Sequence, residues 1–165
     1  MEHGDRQELG AQPSAGAAMA GSDALGLLIE DHERVRQLFE RFEDADSPEK
    51  RALAHQICQE LKIHAQIEEE IFYPAARQQL DDEDLVDEAV QEHAEAKQLI
   101  AQIEAAGADE SEIETTVREL REAIEHHVEE EEAEMFPAMR ATGTDLVSLG
   151  EQLAERKRHL KTSGL

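Results

Sequence analysis

Two histidine–glutamate pairs with identical spacing give this sequence residues that could bind metal ions. His64 precedes Glu68 by four residues, and His127 precedes Glu131 by four. In a helix, residues four apart lie on the same face, one turn above the other. An imidazole and a carboxylate that face an apolar seam are destabilising unless a partner neutralises them. A proline stands ten residues after each histidine, so the arrangement occurs twice, and the partner that we predict is a bound cation.

Each pair follows a lone histidine, and these residues together form an internal repeat. His32 lies 32 residues before the first paired histidine, and His93 lies 34 residues before the second. The sequence therefore predicts two helical hairpins related by an approximate two-fold axis. Their convergence would bring four histidines and two glutamates to the bundle axis as metal ligands: His32, His64, Glu68, His93, His127 and Glu131.

The other histidines are weaker candidates. His126 forms a second His-x-x-x-Glu pair with Glu130 and is an alternative to His127, but the apolar stripe of its helix and the proline spacing favour His127. His55 lies nine residues before the first paired histidine, half a turn round the helix, and should face away. His159 has no partner residue.

The donor set indicates which metal would bind. Four imidazoles and two carboxylates suit iron or manganese at two centres, because two bridging carboxylates can serve both ions. A single zinc ion is an alternative, but it would more often use a closed tetrahedral site with fewer ligands. A ferritin-like site needs a glutamate three residues before a histidine, and no histidine in this sequence has one.

Helices must position these residues, because apolar positions recur at three- and four-residue steps. The core would be aliphatic, since only 3% of the 165 residues are aromatic. We expect an all-α, up-down-up-down four-helix bundle over residues 22–143 and a short fifth helix within residues 144–165. Residues 1–21, which include His3, read as a disordered tail. Predicted helix starts are Ser22, Ser47, the acidic run at 81–84, Ser111 and Thr144, and Pro74 should bend or end the second helix.

Charge and composition exclude several classes of function. Forty acidic residues against 16 basic ones give a net charge of −24, which opposes binding to nucleic acid and to anionic membranes. Arg156, Lys157 and Arg158 are expected to offset this acidic bundle. Cys58 is the only cysteine, so neither an intrachain disulfide nor a multi-thiolate site can form. No secretory signal or membrane-spanning run is apparent, which predicts a cytoplasmic protein.

The combined pattern resembles the hemerythrin-like, or HHE cation-binding, domains over roughly residues 22–140. The resemblance implies a non-haem di-iron centre in which an oxo or hydroxo group bridges the two iron ions. It implies that His32 and His64 bind one iron and that His93 and His127 bind the other. Glu68 and Glu131 would then bridge the two ions.

The sequence departs from the oxygen-carrying members of that family at two places. They have a second histidine one turn after the position of His93, where this chain has Lys97; the equivalent in the other half is Arg36. A protonated lysine cannot donate a lone pair to iron. Water, Glu92 or Tyr73 could fill the position, although packing in the core or a groove is the favoured role for Tyr73. The second departure is the last carboxylate: Glu131 lies four residues after its histidine, whereas the oxygen carriers have an aspartate five residues after theirs.

The resemblance implies a protein that binds or reduces a small oxidant such as O2, peroxide or NO. The missing histidine favours peroxide or NO chemistry, as an oxidoreductase, or sensing over reversible O2 carriage. The alternative is an iron- or oxygen-responsive regulatory module without turnover, and a metal-free acidic scaffold is a third hypothesis. A homodimer is compatible with the sequence.

Overall fold

Five helices follow one another in residues 23–164, the part of the chain that the computed structural model describes. The second and the fourth of these helices each contain a π-helical turn between two α-helical parts. No β-strand occurs within these residues, and the predicted all-α fold is confirmed. The bounds are Ala24–Asp44 for α1; Ser47–Ile67, Glu68–Phe72 (π) and Tyr73–Gln79 for α2; Glu83–Ala105 for α3; Glu110–Glu130, Glu131–Met135 (π) and Phe136–Ala141 for α4; and Leu146–Thr162 for α5.

An aspartate caps the N-terminus of every helix. Its carboxylate accepts a backbone N–H two or three residues ahead, at 2.7–3.1 Å, and is also favoured by the helix dipole. The caps are Asp23, Asp46, Asp82, Asp109 and Asp145. The predicted caps Ser47, Ser111 and Thr144 are therefore wrong by one or two residues, because a nearby aspartate takes the role. Ser22 and the predicted tail lie outside the described residues.

The two prolines that stand ten residues after the paired histidines each follow a π turn, and neither of them ends its helix. The N–H of Tyr73 donates to the carbonyl of Glu68, five residues back, and Phe136 donates to Glu131 in the same way. Pro74 and Pro137 then stand at the start of the next α-helical part. A proline removes one backbone N–H and crowds the carbonyl four residues earlier, and the wider π turn accommodates both effects.

The buried side chains form two apolar clusters along the bundle, with the predicted ligands between them. One cluster contains Leu28, Ile67 and the leucines of α5, and the other contains Val35, Leu61 and their neighbours. On α1, His32 stands between Leu28 and Val35 in sequence, which places it at the junction of the two clusters. Burial of each aliphatic side chain contributes about 1.5–3 kcal/mol.

Helix α5 packs against α1 and α2, on the outside of the first hairpin. Its predicted apolar stripe is confirmed, because its four leucines (Leu146, Leu149, Leu153 and Leu160) are all buried. Two basic residues of α5 pair with acidic residues of the bundle. Arg156 binds Glu70 at 2.7 Å, and Lys157 pairs with the buried Asp31. Within residues 23–164, none of the helices is long and apolar enough to cross a membrane.

Candidate metal centre

All six predicted ligands are buried and lie together between the two apolar clusters. Their donor atoms form two groups, within each of which the atoms lie within 4.8 Å of one another. One histidine pair comes from the first hairpin and the other from the second. The groups are His32, His64 and Glu131, and Glu68, His93 and His127.

The two glutamates each reach histidines of both hairpins. Glu68 Oε1 lies 2.8 Å from His64 Nε2 and 3.3 Å from His93 Nε2. Glu131 places Oε1 3.2 Å from His32 Nε2 and Oε2 3.2 Å from His127 Nε2. Each carboxylate therefore lies where it could be shared between two ions, one at each histidine pair.

Several polar atoms of this cluster form no hydrogen bond of good geometry within the described chain, although histidine and glutamate atoms approach each other to 2.8–3.2 Å. They are both ring nitrogens of His32, Nε2 of His64, both carboxylate oxygens of Glu68 and Oε1 of Glu131. In addition, His93 Nε2 and His127 Nε2 face each other at 3.2 Å. A buried polar atom left unpaired costs about 1–3 kcal/mol. A metal ion at each group would give these atoms a partner, so the residues fit a two-metal site.

Three of the histidines are held from outside by carboxylates on their Nδ1 atoms. A hydrogen bond at Nδ1 fixes the ring and leaves Nε2 free to bind metal. The pairs are His64 with Asp31 at 3.0 Å, His127 with Glu92 at 2.9 Å, and His93 with Glu69 at 3.3 Å. The sequence carries a signal for these contacts, because Asp31 and Glu92 each directly precede a lone histidine. Glu92, one candidate for the place of the histidine missing at Lys97, contacts His127 at Nδ1.

The neighbouring carboxylates change the titration of the histidines. Burial alone would lower the pKa of His64, but the Glu68 carboxylate and the Asp31 hydrogen bond outweigh burial and raise it to about 10. Burial likewise opposes protonation of His127, and bonds to Glu131, Glu68 and Glu92 raise its pKa to about 12. Protons therefore compete with metal ions for these nitrogens.

Tyr73 contributes its hydroxyl to the site, which differs from the packing role favoured by the sequence. The hydroxyl donates to Glu131 Oε2 at 2.8 Å and lies 3.0 Å from His93 Nε2. Burial and the Glu68 and Glu131 carboxylates raise its pKa well above the ordinary value, so the proton stays on the oxygen. The equivalent residue, Phe136, stacks on His32 with a ring-centroid distance of 5.9 Å.

A cavity of about 500 Å³ connects the four histidines to the surface. Its wall combines aliphatic side chains, including Val35, Leu61 and Ile100, with polar and charged ones. Lys97 also lines it, and its ammonium binds Glu69 at 2.6 Å. Lys97 thus pairs with the carboxylate that supports His93, while the equivalent Arg36 pairs with Glu33 on its own helix.

The histidines that we excluded lie elsewhere. His55, His126 and His159 are exposed, whereas His127 is buried. His3 lies outside the described residues. Cys58 is buried, and desolvation raises the pKa of its thiol to about 12, so the thiol stays protonated.

Comparison with known proteins gives three similarities. The family of hemerythrin HHE cation-binding domains matches residues 23–139. The crystal structure of a hemerythrin HHE cation-binding domain-containing protein from Mycobacterium kansasii is similar, with a TM-score of 0.74 and 27% sequence identity over 86% of this chain and 88% of that one. A protein named DNA nickase from Nostoc sp. is 33% identical over 130 residues. That match covers 75% of this chain but only 37% of the Nostoc protein.

Proposed function

Since the chain belongs to the hemerythrin HHE cation-binding domain family, we propose that it is a non-haem di-iron protein that binds or reduces a small oxidant such as O2, peroxide or NO. The observation that carries this proposal is the pair of three-donor groups linked by two shared carboxylates. His32 and His64 would hold one ion and His93 and His127 the other. Glu68 and Glu131 would bridge them.

The iron pair would supply the electrons for the chemistry when it is bound. The chain's own residues would govern access and protons. The aliphatic side chains in the wall of the 500 Å³ cavity would favour entry of a small, weakly polar oxidant. The Tyr73 hydroxyl, with its raised pKa, holds a proton within hydrogen-bond reach of His93 and Glu131, where a reduced oxidant would need one.

Metal content and turnover test this proposal together. Protein purified without chelators should contain iron at about two ions per chain and absorb in the near ultraviolet, as bridged ferric pairs do. It should consume peroxide or NO. The His64→Ala variant should lose bound iron and should no longer consume the oxidant. The His55→Ala variant, changed at an exposed histidine, should keep its iron content and its rate of consumption. Absence of bound iron in the wild type, or full turnover in His64→Ala, would contradict the proposal.

The second candidate function is a regulatory module whose folding reports iron occupancy. The unpaired buried atoms of His32, Glu68 and Glu131 favour it, because such a core is stabilised directly by metal. The long Nostoc relative also shows that a domain of this kind can be part of a larger protein. Metal-dependent melting without consumption of any oxidant would favour this function.

The net charge of the chain bears on which partners it could bind. We propose no nucleic-acid or membrane partner for this chain, because a net charge of −24 opposes both. The name of the Nostoc protein therefore does not extend to a proposed activity here. A cytoplasmic location and a homodimer stay predictions.

A further inference from the structure

A second group of metal-donor side chains lies on the surface of the α3/α4 hairpin, outside the central site. It consists of Glu92, His126 and Glu130, whose donor atoms lie within 4.8 Å of one another. His126 Nε2 is 3.4 Å from Glu92 Oε2 and 3.1 Å from Glu130 Oε1. The His126 side chain is 64% exposed, so solvent ions can reach it.

The equivalent position in the first hairpin already holds a cation, which the chain itself provides. The repeat relates Glu92 to Asp31, and each of them accepts a hydrogen bond from a histidine Nδ1 with one oxygen. The other oxygen of Asp31 accepts from the ammonium of Lys157. The other oxygen of Glu92 faces His126 instead, and within residues 23–164 no lysine or arginine forms an ion pair with Glu92 or Glu130.

Helix α5 explains why the two hairpins differ here. The residues equivalent to His126 and Glu130 are Ile63 and Ile67, which are buried in the same apolar cluster as the leucines of α5. The fifth helix packs on that face and brings Lys157 to Asp31. On the second hairpin, two metal donors stand where the first hairpin has two isoleucines.

The surroundings of this surface group are strongly acidic. A small hollow beside it is lined by Glu88, Glu92, Glu130 and Glu134 as well as His127. Carboxylates this close repel one another unless a positive charge lies between them. Two imidazoles, His126 and His127, face these four carboxylates and even when both are protonated offset at most two of the charges.

We propose that Glu92, His126 and Glu130 form a surface site for a first-row divalent transition metal ion. One imidazole among three donors favours Fe²⁺, Mn²⁺ or Zn²⁺ over Mg²⁺ and Ca²⁺, which select oxygen ligands. Water would complete the coordination. Glu92 would bind this ion with one oxygen and support His127 with the other, so occupancy of the surface site would stiffen one wall of the central site.

Anomalous scattering from crystals of the full chain soaked in MnCl2 tests the site directly. The expected result is a peak between His126 Nε2 and the carboxylates of Glu92 and Glu130, in addition to peaks among the buried histidines. A peak at His126 with none among the buried histidines would contradict the proposed central site and support the surface site. Peaks only among the buried histidines would overturn the surface site.

Equilibrium dialysis against Mn²⁺ gives the same test in solution. His126→Ala should bind about one ion fewer per chain than the wild type, and His55→Ala should bind as many as the wild type. Glu130→Lys should also lose that ion while it keeps the wild-type melting temperature, because it supplies an ammonium as Lys157 does for Asp31. Glu129→Lys, one residue away and exposed, is the matched control. Wild-type stoichiometry in both His126→Ala and Glu130→Lys would overturn the inference.

Discussion

The two hairpins present the same donor residues, but their surroundings differ. Around His32 and His64, the structure supplies an aromatic ring from Phe136 and an ammonium from Lys157, which pairs with Asp31. Around His93 and His127, it supplies the hydroxyl of Tyr73 and an exposed, acidic outer wall.

This difference would make the two proposed metal positions chemically unequal. The proposed position at His32 and His64 has the apolar ring of Phe136 beside it, whereas the one at His93 and His127 has the Tyr73 hydroxyl as a proton donor. A symmetric set of ligands could therefore hold two ions of different reactivity. The predictions below test that inequality.

The largest effect should come from the shared carboxylates. Glu68→Ala and Glu131→Ala should each lower affinity for both ions by more than about 100-fold, beyond the loss typical of supporting residues, because each glutamate contacts both hairpins. Iron per chain after dialysis measures this, with Glu129→Ala as the control. Retention of one ion in either variant would show that the hairpins bind metal independently.

Loss of Lys157 should be costly for the first hairpin. Lys157→Met keeps the aliphatic stem but removes the buried ammonium from Asp31 and leaves that carboxylate only His64 and a longer contact to Arg34, which should lower the free energy of unfolding by about 3 kcal/mol. Urea unfolding of the Lys157→Met and Lys161→Met variants measures it, since Lys161 is exposed on the same helix. Asp31→Asn should restore part of the loss. A Lys157→Met protein as stable as the Lys161→Met protein would mean that α5 contributes only its leucines.

Exchange of the aromatic pair should alter reactivity more than stability. Tyr73→Phe removes the hydrogen bond to Glu131, at a cost of about 1 kcal/mol, and should slow consumption of the oxidant by up to about 100-fold if the hydroxyl delivers protons. Phe136→Tyr places a hydroxyl beside His32 instead. Stopped-flow rates for the two single variants and the double variant would separate the positions, and equal rates in all of them would remove the proposed role of Tyr73.

The metal-free protein should also show a pH dependence of its stability. His64 has a pKa of about 10 in the fold against 6.5 for an ordinary histidine, so the stability from its protonation is complete below about pH 6.5 and is lost as pH rises through about 10. The melting temperature of the metal-free protein should therefore fall between these values. Metal affinity should rise over the same range because fewer protons compete. NMR titration should show His64 losing its proton before His127, whose pKa is about 12.

The clustering of the six candidate ligands could be predicted from sequence because it depends on local periodicity. His64 and Glu68 share a helix face by spacing alone, and the internal repeat distinguished His127 from His126. Tyr73 could not be placed in this way. Nine residues after His64, it would face about 180° away on an unbroken α-helix. The π turn adds one residue and so rotates the following part by about 100°, which brings the hydroxyl to the site.

Contacts between different helices also could not be predicted from the spacing of residues in the sequence. Lys97 was identified as the residue in place of a histidine, but its pairing with Glu69 depends on how α2 and α3 pack. Lys157 was read as part of a basic patch that offsets the acidic bundle. Its approach to Asp31 depends on which hairpin α5 covers, and the sequence states only that α5 has one apolar face.

The contact between Lys157 and Asp31 has a consequence for how the smallest working unit is defined. The match to the family ends at residue 139, seven residues before α5 begins at Leu146. An expression fragment cut at that limit would contain every proposed ligand and yet lack Lys157, whose ammonium pairs with the aspartate behind His64. A fragment that keeps this pair must include α5, which ends at Thr162, beyond the segment that the family matches.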